Sequence, residues 1–110
     1  MISNVVVSYQ VQPEFYDEHV ALIQGIFRQL QEERPSDLEY KVVCLEDGVS
    51  FLHVSTADTD DLSNPLPKLE AFQQFAKDLG SRVATSPEPK SAQIIGSYQA
   101  DGTPIGTSPR

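Results

Sequence analysis

VSFLHVSTADTDDLSNPLPKLEAFQQFAKDLGSRV, residues 49–83, reads as one strand, an acidic connection and one amphipathic helix. Val49 to Thr56 is rich in β-branched and aromatic side chains, and His53 stands in its middle. From Leu69 onward Phe72, Phe75, Ala76 and Leu79 fall at i+3, i+6, i+7 and i+10, which keeps one helical face apolar. Asn64 before Pro65 suits the start of that helix, which the spacing carries to about Val83. Asp58, Asp60 and Asp61 read as a solvated acidic loop, without the glycine and distant glutamate of a calcium-binding loop.

Immediately upstream, LEYKVVCLE (38–46) is a second strand-like run, joined to the first by Asp47-Gly48. That dipeptide predicts a two-residue hairpin turn with both positions at positive φ. The register follows: Leu45 opposite Ser50, Cys44 opposite Phe51, Val43 opposite Leu52, Val42 opposite His53 and Tyr40 opposite Ser55. Opposed residues share a face. One face then carries Leu38, Tyr40, Val42, Cys44, Phe51 and His53, and the other Lys41, Val43, Leu45, Leu52 and Val54. Cys44 is the only cysteine, so no intramolecular disulfide forms, and its apolar neighbours predict a small buried hydrophobe.

Further out, SNVVVSYQV (3–11) alternates Val5, Val7, Tyr9 and Val11 on one face with Asn4, Val6, Ser8 and Gln10 on the other. Pro13 and the acidic Glu14, Asp17 and Glu18 open a helix over 14–33. Around Ile23, its apolar face collects Phe15, Tyr16, His19, Val20, Ile26, Phe27 and Leu30, so His19 points inward. Gly25 lies on the outer half, either for a close backbone approach or as slack, and Pro35 ends the helix. TSPEPK reads as an extended connection, and SAQIIGSYQ (91–99) as a fourth strand with Ala92, Ile94, Gly96 and Tyr98 on one side. Residues 100–110, rich in Gly, Pro, Ser and Thr, read as a flexible tail after one domain at 1–99.

The order β-α-β-β-α-β is the ferredoxin-like plan, an α+β fold with a four-stranded antiparallel sheet and two helices on one face. The uncovered face would then hold Val6, Val43, Leu45, Leu52, Val54 and Ile95. An apolar patch of that extent predicts a homodimer paired through the sheet, that is, a dimeric α+β barrel. With 16 acidic against 8 basic side chains, a net charge of −8, the surface repels phosphate backbones and anionic membranes. No apolar run approaches a membrane span, and no charged leader precedes one, so a cytoplasmic location is expected.

The runs F-L-H-V-S-T-A-D (51–58) and N-P-L-P-K-L-E-A-F-Q-Q-F (64–75), Arg82, and I-G-S-Y (95–98) resemble the antibiotic-biosynthesis-monooxygenase-like superfamily of dimeric α+β barrels. That superfamily includes cofactor-free oxygenases of aromatic polyketides, haem-degrading enzymes and many proteins without an assigned activity. The resemblance implies a pocket between helices and sheet, lined from Asn4, Tyr9, Tyr40, Phe51, Phe72 and Tyr98, with His53 and His19 as candidate catalytic groups. It implies a small hydrophobic or aromatic ligand, and an oxidation that needs no cofactor, neither flavin nor metal. There are departures. The chain has no tryptophan, whereas the oxygenases and haem-degrading members use tryptophan with asparagine, of which Asn4 is the only counterpart. The second helix lacks the histidine that holds haem in those members, so haem is not expected. An imidazole such as His53 ordinarily titrates near neutrality and suits a base, and a buried phenol suits a hydrogen-bond donor. The alternative reading is a non-catalytic ligand-binding or structural homodimer in which the histidines fill the core.

Overall fold

The computed structural model describes residues 2–58 and 65–98. Strands β1 (Ile2–Val11), β2 (Leu38–Cys44), β3 (Ser50–Asp58) and β4 (Val83–Ala92) form one sheet in the order β2-β3-β1-β4. All three pairings are antiparallel. Helices α1 (Tyr16–Glu33), α2 (Glu70–Ala76) and α3 (Leu79–Arg82) cover one face, completing the ferredoxin-like α+β architecture. Short 3-10 turns at Pro13–Phe15 and Leu66–Lys68 lead into α1 and α2. Among the described residues no helix is long and apolar enough to cross a membrane.

Period-two alternation in β3 is reproduced as burial: Phe51, His53, Ser55 and Ala57 are buried, and the residues between them only half so. β1 presents Tyr9 and Val11 to the same core, which α1 closes with Ile23 and Ile26 and the 65–76 segment with Leu66, Leu69 and Phe75. The β2–β3 register is the expected one, from Tyr40 opposite Ser55 to Cys44 opposite Phe51, with Leu45 N–H bonded to the Ser50 carbonyl at 2.9 Å. The turn itself differs. Glu46 to Val49 form a four-residue loop in which Gly48 alone has positive φ, at 76°. The Asp47 carboxylate closes it by accepting from the Val49 and Ser50 N–H groups at 2.9 and 2.8 Å. A loop centred on the same dipeptide with one more residue on each side leaves Leu45 opposite Ser50 unchanged.

Three further expectations are corrected. The second helix is not continuous to Val83: it breaks after Ala76, with Asp78 in the left-handed region at φ 61°, and resumes as the single turn α3. Ala76 is exposed at that break. The fourth strand is Val83–Ala92, not 91–99, and Ile94, Ile95 and Tyr98 lie beyond it, exposed. Prolines 87 and 89 fit because β4 is an edge strand, where the missing N–H has no ladder partner to lose. One extra β4 residue between the Gln10–Thr85 and Ser8–Glu88 pairs forms a bulge that takes up Pro87. Cys44 is exposed rather than buried, because it ends the other edge strand. Asp58 is the exposed last residue of β3, its N–H bonded to the Asp37 carbonyl at 2.9 Å. Asp60, Asp61, Asn64 and the 100–110 tail lie outside the described residues.

The uncovered sheet face does carry apolar side chains. Val43 and Leu45 are 39% and 55% exposed, and Val6, Leu52 and Val54 are half-buried.

Candidate functional site

Two histidines from separate elements converge on one phenol. His19, one turn into α1, lies on the apolar stripe and is fully buried. His53 stands on the covered face of β3, adjacent to β1, which brings it beside Tyr9. The Tyr9 hydroxyl is 2.6 Å from Nε2 of His19 and 2.6 Å from Nε2 of His53. Beyond His53, its Nδ1 meets the Tyr40 hydroxyl at 2.7 Å. Beyond His19, the Arg82 guanidinium donates from Nε to Nδ1 at 3.3 Å. Tyr40, His53, Tyr9, His19 and Arg82 therefore make one hydrogen-bonded chain through the core.

Arg82 is 2% exposed and holds two further bonds, to the Lys77 carbonyl at 3.1 Å and the Phe75 carbonyl at 2.5 Å. These are carbonyls at the end of α2, where a cation is favoured. The helix break thus has a physical counterpart: it turns α3 so that Arg82 reaches beneath α2 and caps it. Phe75 packs against both imidazoles, with ring centroids 5.2 Å from His19 and 5.6 Å from His53. Phe51 stacks on Tyr9 at 5.9 Å and meets His19 edge-on at 4.8 Å.

A cavity of about 340 Å³ opens between helices and sheet on the His53 side of this chain. Its walls are Val5, Val7, Tyr9, Tyr40, His53, Ser55, Leu66, Phe72, Phe75, Leu79 and Pro87, together with Pro67 and Ala76. The lining is largely apolar with a few convergent polar groups, the usual make-up of a small-molecule site. A larger hollow of about 440 Å³ on the uncovered face, bordered by Ser8, Gln10, Ser50, Thr85, Ser86 and Glu88 with Leu45 and Leu52, is open and its lining includes no histidine.

The structure brings together His53, Tyr9, Tyr40 and Phe72 at the cavity wall. His19 and Phe51 stand behind Tyr9. Two expected residues are elsewhere. Asn4 projects from the uncovered face, accepting from the Thr56 hydroxyl at 2.8 Å. Tyr98 is 79% exposed beyond the sheet. Arg82 and Phe75 had not been singled out as site residues. Arg82 lies seven residues after Phe75, a spacing that would share one stripe on an unbroken helix, and a cation on such an apolar stripe is the signal for it.

Desolvation dominates the electrostatics. It lowers the pKa of both imidazoles from 6.5 to about 4, with Arg82 and then His53 adding to the effect at His19. It also raises the Tyr9 and Tyr40 phenols, so at neutral pH the two imidazoles and two phenols are uncharged. This revises the expectation of His53 as a near-neutral base: the ring is a weaker base than a free imidazole, and hydroxyls occupy both its nitrogens. Among the described residues, no three His, Cys, Asp or Glu side chains are grouped to hold a metal ion.

No family model matches the chain, and no curated protein matches it in sequence. Many solved structures match it in fold. One antibiotic biosynthesis monooxygenase superposes with a TM-score of 0.70 at 13% identity, covering 87% of this chain and 100% of that one. Rv0793 from Mycobacterium tuberculosis gives 0.71 at 10% identity, covering 90% and 100%. A provisionally assigned antibiotic biosynthesis monooxygenase from Bacteriodes thetaiotaomicron VPI-5482 gives 0.73 at 12% identity, covering 86% and 90%. At such identities the likeness establishes the fold, and the function has to be argued from this chain's own site.

Proposed function

We propose that the protein binds a small hydrophobic or aromatic molecule in the cavity between helices and sheet and oxidises it with molecular oxygen, without flavin or metal. The observation that carries this reading is the join between an apolar cavity and a buried, uncharged Tyr–His–Tyr–His chain at its wall. The fold shared with antibiotic biosynthesis monooxygenases supports it. Oxidation without an external reductant requires a substrate that supplies all the electrons. A ring methylene that becomes a carbonyl does so: one atom of O₂ enters the product, the other leaves as water with the two methylene hydrogens. Such a substrate reacts through its own anion. His53, whose ring borders the cavity and whose two nitrogens hold the Tyr9 and Tyr40 hydroxyls, is proposed to assist formation of that anion through Tyr40; His19, behind Tyr9, is a positioning residue.

The working unit is proposed to be a homodimer closed over the uncovered sheet face, as the part-exposed Val6, Val43, Leu45, Leu52 and Val54 suggest. Sedimentation of the wild type and of Leu45→Arg tests this, and a wild-type monomer at micromolar concentration contradicts it.

Oxygen uptake tests the activity. Wild type, His53→Ala and Tyr40→Phe are compared on a panel of anthrones and polyhydroxylated naphthalenes. Uptake by the wild type that falls at least tenfold in His53→Ala supports the assignment. Unchanged uptake in that variant rejects the role of His53. Stoichiometric binding without uptake favours the ligand-binding alternative, in which the two histidines serve only to shape the pocket.

A further inference from the structure

The buried chain has a direction, and Arg82 sets it. A guanidinium only donates, so His19 Nδ1, 3.3 Å from Arg82 Nε, carries a lone pair. The single ring proton of neutral His19 is then on Nε2 and is donated to the Tyr9 oxygen 2.6 Å away. Tyr9 accepts there, so its own hydrogen goes to His53 Nε2, also at 2.6 Å. His53 therefore keeps its proton on Nδ1 and donates it to the Tyr40 oxygen at 2.7 Å. Each hydrogen has an acceptor inside the chain until Tyr40. Among the described residues, the hydrogen of the Tyr40 hydroxyl has no protein acceptor.

From this order we infer that Tyr40 offers a hydrogen-bond donor to the cavity, and that the site selects an apolar ring molecule bearing an acceptor oxygen, such as a ketone, quinone or phenolate oxygen. The inference rests on the ligand reading above and adds which group of the ligand is held and by what. A ligand whose only polar group is an N–H donor meets a second donor at the Tyr40 hydrogen and gains no bond there. An oxygen that becomes more negative during reaction gains most, because each bond in a one-way chain polarises the next. His53, His19 and Arg82 act here through Tyr40, as positioning residues for its hydroxyl.

The direction is read by ¹⁵N NMR of the full chain labelled in its histidine rings at pH 7. The expected spectrum has the proton of His19 on Nε2 and that of His53 on Nδ1; a His53 proton on Nε2 overturns the inference. The ligand class is read by calorimetric binding of 1-tetralone and of tetralin, which share a skeleton and differ by one carbonyl oxygen. In Tyr40→Phe the preference for the ketone over the hydrocarbon should fall roughly fivefold or more relative to wild type, the worth of one hydrogen bond. An unchanged preference overturns the inference and leaves the aromatic-ligand reading standing. If neither compound binds the wild type, that reading fails and takes the inference with it.

Discussion

Replacing Tyr9 by Phe removes one oxygen atom from the junction of the buried chain. The ring, its stacking on Phe51 and nearly all of its volume remain. What is lost is the atom that accepts from His19 and donates to His53, each at 2.6 Å. His19 and His53 are 0% and 6% exposed, so water does not readily replace it. An unpaired buried donor and an unpaired buried acceptor cost about 1–3 kcal/mol each, a combined loss of roughly 2–6 kcal/mol. Against a total stability of about 5–15 kcal/mol, that is a large fraction. At a few degrees per kcal/mol for a domain of this size, Tm should fall on the order of 10 °C. Urea unfolding followed by far-ultraviolet circular dichroism measures it, at one fixed protein concentration so that any association cancels. A midpoint shift worth less than about 0.5 kcal/mol, with unchanged slope, would refute the reasoning, since the hydroxyl could not then be the shared partner of two buried imidazoles.

The histidines also predict a pH dependence of stability. Their pKa is about 4 in the folded protein against 6.5 unfolded, so between those values the unfolded chain binds more protons. Stability is therefore full above pH 6.5 and lost as pH falls toward 4, by up to roughly 3 kcal/mol per histidine; urea midpoints that stay flat from pH 7 to 5 contradict it. Gly25→Ala should stabilise by about 0.5–1 kcal/mol, because the added methyl would meet only the end of the Arg28 side chain at 3.7 Å; a loss of stability on thermal unfolding would reveal a crowding contact. Cys44 is exposed, yet desolvation first and the Asp47 carboxylate second raise its pKa. It should alkylate fully with iodoacetamide in the folded state but more slowly than free cysteine at pH 8, and a thiol protected until unfolding would place it inside.

Much of this architecture was readable because two periodicities were clean. Alternation along 51–57 and the Asp47-Gly48 dipeptide fixed the β2–β3 register, although the loop proved to be four residues long. Likewise the 100° step along α1 placed His19 in the core. The fourth strand was missed because its two prolines look like a linker, and only its edge position makes them compatible with a strand. Helical spacing assumes an unbroken helix, so it passed over the turn at Asp78 that brings Arg82 under α2. Periodicity assigns Tyr9, Tyr40, His19 and His53 to faces, but not to distances. That one hydroxyl bridges both imidazoles depends on how far α1 stands from the sheet, which is a property of packing among Phe51, Phe75 and Ile26. Asn4 shows the converse hazard: a residue type suited to a pocket sat on the wrong side of an alternating strand.

The most direct test of the account is where a small aromatic ketone sits on the folded protein. Isotope-filtered NMR with unlabelled 1-tetralone and ¹³C-labelled protein reports contacts between ligand and side-chain protons. The account expects contacts to the rings of Tyr40, Phe72 and Phe75, with none to Val43 or Leu45 on the uncovered face. Contacts confined to that uncovered face, or none at millimolar ligand, would contradict it.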